Sequence, residues 1–98
     1  MPRDYKHYET MDEVLLYDIL QDAWRAVALE YITLEEQATS LEEQHVWNDA
    51  LIRGDQRFRD LGRAGPAECI SAMQAWDEEA LRIQTAVANG DTNIRPLL

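Results

Sequence analysis

The sequence predicts an all-α fold, a small three-helix bundle, and three observations carry that expectation. Strand signals are nearly absent: Val, Ile and Thr are scattered, and alternation of apolar and polar residues never persists. Apolar residues recur instead at the three- and four-residue spacing of amphipathic helices. Glycine and proline fall where helices stop and start, at Gly62, at Gly65-Pro66 and at Gly90. With 98 residues, 46% of them hydrophobic, the chain makes one domain with a modest core.

The first helix is expected over 11–32. Thr10 is placed to cap it, and Asp12 and Glu13 lie in the first turn, where the helix dipole favours anions. Leu16, Ile19, Leu20, Ala23, Trp24, Val27 and Tyr31 form one apolar face, with Asp18, Asp22 and Arg25 opposite.

The second helix is expected over 34–61. Its start is ambiguous, because Thr33 with Glu36 and Ser40 with Glu43 are both capping-box patterns. No Gly or Pro breaks the chain between Met11 and Arg53, and the stripe Leu20, Val27, Leu34, Leu41, with Tyr17, Trp24, Tyr31, Ala38 and His45 between, keeps its phase throughout. After His45 the stripe moves roughly 140° round the helix, at 100° per residue, to Trp47, Leu51, Gly54, Phe58 and Leu61. That shift predicts a bend near 44–47. It also defines an alternative architecture, a long bent helix with the last helix folded back on it, completed by dimerisation.

The third helix is expected over 66–89. Pro66 is suited to a first helical position and Glu68 to a first turn, and Asn89-Gly90 is a stop. Cys69, Ile70, Met73, Trp76, Ala80, Ile83 and Val87 make its apolar face. Residues 91–98 read as a loose tail.

Charge is the second theme. The formal net charge is −10, and residues 1–52 hold twelve Asp/Glu against three Lys/Arg. Such a field repels nucleic acid and anionic membranes and attracts basic surfaces. Met1 to His7 is charged, with no apolar stretch after it, and does not read as a signal peptide. No apolar run approaches the ~20 residues of a membrane span. The single cysteine, Cys69, allows no internal disulfide. Together these features point to a soluble, cytoplasmic protein.

One acidic cassette is written twice, Thr33-Leu34-Glu35-Glu36-Gln37 and Ser40-Leu41-Glu42-Glu43-Gln44, seven residues apart. Glu35, Glu42 and Asp49 recur at the same spacing, flanked by Glu36 and Glu43, and Asp18 and Asp22 form a further i, i+4 pair. Like charges at i, i+4 repel by about 0.2–0.5 kcal/mol per pair, and a sequence shaped by stability alone interleaves lysine. Asp18, Asp22, Glu35, Glu36, Glu42, Glu43 and Asp49 are therefore the candidate partner-binding residues.

Catalytic chemistry is poorly supplied. Glu42 and His45 form one Glu-x-x-His pair of the kind di-iron bundles use in duplicate, with Glu30 or Glu79 as further ligands if a second copy completes the site. Cys69 reads as a small core residue. Arg53, Arg57, Arg59 and Arg63 form the basic cluster and read as partners for the chain's own acids or a second copy's. No cofactor is implied. In size, helical content and charge the chain is similar to phage-encoded inhibitors, some anti-CRISPR proteins among them, and to acidic immunity proteins that neutralise nuclease toxins; the likeness is one of composition and transfers no residue. The expected function is a non-enzymatic binding protein that docks on a basic surface of a larger protein and blocks nucleic-acid access. The alternative is a self-associating subunit joined through Tyr17, Trp24, Tyr31, Leu34 and Leu41. A metal-dependent enzyme built on Glu42 and His45 comes third.

Overall fold

The computed structural model describes residues 5–98. Met1–Asp4, at the start of the charged run considered above for a signal peptide, lie outside them. The fold is an all-α three-helix bundle. A 3-10 helix (Tyr5–Thr10) leads into α1 (Glu13–Gln37), α2 (Leu41–Leu61) and α3 (Pro66–Ala88), and no strand occurs among the described residues. α2 and α3 both pack along α1, and the 3-10 helix packs on α3, where the Tyr5 hydroxyl donates to Asp77 Oδ2 at 2.7 Å.

The helix ends follow local chemistry. Asp12 caps α1, its carboxylate accepting from the Val14 amide at 3.0 Å. Thr10, expected in that role, is instead the last residue of the 3-10 helix. The carboxylate is the better cap and lies closer to the first apolar position.

The boundary between α1 and α2 lies at 38–40, later than the sequence suggested and with neither glycine nor proline. Ala38 and Ser40 are both extended, and the Ser40 hydroxyl accepts from the Glu43 amide at 3.1 Å. The competing Thr33 hydroxyl donates back to the Leu29 carbonyl at 2.9 Å, a bond made inside a helix. Of the two capping boxes, the second is used. α2 then runs unbroken through 44–47. The shift of stripe expected to bend a helix there is the signature of the break six residues earlier: Leu41 is 67% exposed, and α2 buries Trp47, Ala50, Gly54 and Leu61. With α1 and α2 separate, the long bent helix that needed a second copy does not form.

Six of the seven apolar residues expected on α1 are buried, Ile19 being half-buried. Rings join the helices. Tyr17 stacks on Phe58 at 4.7 Å between centroids, and Trp76 meets Trp24 at 5.3 Å and Phe58 at 6.5 Å. Tyr31 meets Trp47 at 5.2 Å. α2 and α3 are tied at their joined ends, where the Cys69 thiol approaches the Leu61 carbonyl at 3.5 Å. At the other end Tyr31 and Trp47 are covered differently.

Residues 91–98, expected to be a loose tail, fold back over the bundle. Gly90, at φ 73°, turns the chain out of α3, a conformation glycine adopts without strain. Ile94 is then buried to 7% exposure. The segment is held because a buried carboxylate and two arginines meet its main chain.

Candidate functional site

The acidic cassette becomes a corner rather than a line. Its first copy closes α1 and its second opens α2, so Glu35, Glu36, Glu42 and Glu43 flank one short connection at 38–40. The two pairs have different local energetics. Glu42 and Glu43 lie in the first turn of α2, where the helix dipole stabilises anions. Glu35 and Glu36 lie in the last turn of α1, which carries no basic residue, where the dipole opposes them. Helix stability thus accounts for the second pair and works against the first. Glu43 is half-buried, with Arg95 Nη2 3.8 Å from its Oε1. Glu36 and Glu42 are exposed, and Glu35 is half-buried.

The other candidate acids lie apart. Asp49 is exposed on α2, two turns from Glu42. Asp18 and Asp22 are exposed on the outer face of α1, about 27 and 21 Å from Glu36 by helix rise. The seven residues are therefore not one site: four form the corner, one extends it, and two belong to a separate region of α1.

The remaining chemical candidates resolve as follows. Glu42 and His45 are both exposed, and no three metal-ligating side chains converge anywhere among the described residues. Cys69 lines a groove of about 310 Å³ with Tyr17 and Leu61, but burial, then Glu68, pushes its thiol pKa up, which keeps it protonated. Arg53 and Arg59 donate to the main-chain carbonyls of Leu98 and Asp55.

A second polar centre forms round Glu79, which the sequence offered only as a further metal ligand. Glu79, 3% exposed on the inner face of α3, accepts from the Tyr31 hydroxyl, from Arg82 Nε at 2.6 Å and from the Leu97 amide at 2.9 Å. Burial raises its pKa, but these three donors outweigh that and hold it below the ordinary carboxylate value. Tyr31 is pushed far above the ordinary tyrosine range, by burial first and then by its bond to Glu79. The centre could have been found from spacing. Glu79 lies three residues after Trp76 and four before Ile83, inside the apolar stripe of α3.

The two shifts limit stability at opposite ends of the pH scale. A carboxyl depressed on folding contributes stability above its unfolded value, 4.5, and loses it as pH falls through the folded value. A tyrosine raised on folding contributes below its unfolded value, 10.0, and loses it as pH climbs beyond. Urea midpoints measured against pH are expected to hold a plateau between these values and fall on both sides. Tyr31→Phe should flatten the alkaline limb and Glu79→Gln the acid limb; unchanged limbs would count against the assignment.

Compared with known protein families, curated proteins and solved structures, the chain matches none. No described helix is long and apolar enough to cross a membrane.

Proposed function

We propose that the protein is a non-enzymatic binding protein that docks its acidic corner on a basic surface of a larger protein, and that it acts as an inhibitor where that surface is a nucleic-acid groove. The observation that carries this reading is the pair Glu35–Glu36. Two carboxylates held at the helix end that disfavours them, beside two more across a three-residue connection, concentrate negative charge against local stability. Such a concentration steers a cationic partner and gives register to the complex. Self-association through the apolar stripe finds less support. Trp24 and Tyr31 are buried in the core, and Tyr17 and Leu34 pack against it, which leaves Leu41 exposed.

A short polyarginine peptide is the probe. Binding measured by calorimetry should weaken steeply as salt rises, since exposed charges are screened over about 8 Å in physiological salt. Reversal of Glu35, Glu36 and Glu42 to lysine should reduce affinity by about tenfold or more, equivalent to about 1.4 kcal/mol, with helicity retained. Reversal of Asp18 and Asp22 should have a much smaller effect. Equal losses from the two sets would mean that net charge, not the corner, attracts the peptide.

A further inference from the structure

The helices hold residues 91–98 as a receptor holds a peptide. Three main-chain groups are gripped by side chains of α2 and α3. The Leu97 amide donates to Glu79, Arg82 Nη2 donates to the Arg95 carbonyl at 2.7 Å, and Arg53 Nη2 donates to the Leu98 carbonyl at 3.3 Å. Contacts to main chain bind a segment whatever its side chains; selectivity has to come from pockets between them. One side chain is enclosed and a second, half exposed, meets an acid 3.8 Å away. Ile94 is buried, and Arg95 lies against Glu43 of the acidic corner. Leu97 stands 70% exposed. Pro96 fixes its own φ and biases Arg95 to extended backbone. A cleft of about 400 Å³ remains beside the segment, walled by Leu34, Thr39, Glu43 and Trp47 on the corner side.

The segment is poorly anchored for its length. Ile94 is its single buried residue, and Gly90 gives it a hinge. Segments with so few buried contacts open locally at low cost. When it lifts, Glu79 and Arg82 each lose a main-chain partner in a site built to satisfy them.

We infer that this slot is a peptide-binding site held closed by the chain's own 91–98 segment, and that its foreign ligand is a non-helical segment of the basic partner carrying an apolar residue followed by arginine. The inference rests on the acidic-corner reading, because Glu43 belongs to both surfaces. The own segment is then a competitor that sets a threshold: only a partner offering the same apolar–arginine pair, with more charge around it, displaces it.

The test uses the full chain and a labelled synthetic copy of residues 91–98, followed by fluorescence anisotropy at low salt. The chain carrying Ile94→Asp should bind the copy about tenfold more tightly than the wild type, whose closed slot lowers apparent affinity by its open fraction. Leu97→Pro is the second variant. It removes the amide that Glu79 accepts while leaving the hydrophobic centre intact, and should release the segment in the same direction. A copy whose arginine is replaced by glutamate should bind more weakly, because it meets the carboxylate of Glu43 with a like charge. Absence of binding to both released variants, or equal binding to wild type, overturns the inference. Exchange of 91–98 segments between two copies, seen as a dimer of the released variants, assigns the slot to a second copy and overturns it as well. If polyarginine still binds through Glu35, Glu36 and Glu42 while the copy does not bind, the slot falls and the corner stands; the converse result removes the corner alone.

Discussion

Glu79→Ala is expected to lower the unfolding free energy by about 3 kcal/mol, the low end of the cost of breaking a buried, hydrogen-bonded charge pair from one side. Three donors converge on that carboxylate, and the hydroxyl of the fully buried Tyr31 is the one that cannot turn to water. The Leu97 amide lies on an exposed residue and can be hydrated when its segment lifts. Arg82 is about one-third exposed as a side chain, at 34%, and can turn to water, which is why the low end of the range applies. For a domain whose total stability is about 5–15 kcal/mol, the loss is a large fraction. Urea unfolding followed by tryptophan fluorescence measures it, and a loss under about 1 kcal/mol would mean that the carboxylate behaves as a surface group. Replacing donor and acceptor together should separate stability from strapping. Tyr31→Phe with Glu79→Met leaves no orphaned hydroxyl, and matched apolar replacements of this kind are often neutral. The double variant should regain most of the stability yet leave the Leu97 amide without its acceptor. Its 91–98 segment should then exchange amide protons faster than in the wild type, while α1 and α3 stay protected.

How much was legible beforehand follows from the kind of signal each feature leaves. The fold class was legible because helical periodicity is repeated over many residues, and the Gly65-Pro66 and Asn89-Gly90 punctuation is local and specific. The break at 38–40 was not. Leu34 and Leu41 happen to continue the α1 stripe in phase, and both cassette copies carry a capping pattern; only the exposure of Leu41 reveals that the second stripe belongs to a new helix. The corner followed from that break. A row of acids on one rod became two short pairs on two helix ends, with Asp18 and Asp22 left behind on α1. Glu79 hid in Asp77-Glu78-Glu79, because adjacent acids diverge round a helix and only the wheel places Glu79 inside the apolar stripe. The docking of 91–98 left little trace in its own residues, because Ile94 is the one side chain it buries and three of the groups that hold it act on its main chain.

Gly54→Ala is expected to destabilise the fold by about 2 kcal/mol, although alanine is favoured over glycine inside a helix by roughly 1 kcal/mol. A Cβ built at Gly54 lies 1.9 Å from Cη2 and 2.3 Å from Cζ3 of Trp24, so the indole must move. It has little freedom to do so. Its Nε1 donates to Asp55 Oδ1 at 2.8 Å, and its ring packs against Trp76 at 5.3 Å between centroids. Moving it strains the contact between α1 and α2 or breaks a hydrogen bond at a site 5% exposed, and either loss exceeds the gain in helix propensity. The same argument predicts a rescue. Trp24→Leu alone leaves a cavity, but combined with Gly54→Ala part of that cavity is filled by the added methyl, so the double variant should be more stable than the sum of single losses by about 1 kcal/mol or more. Unfolding should be followed by far-UV circular dichroism, because the substitution removes one tryptophan. A neutral or stabilising Gly54→Ala would show that α1 and α2 do not cross with the glycine under the indole.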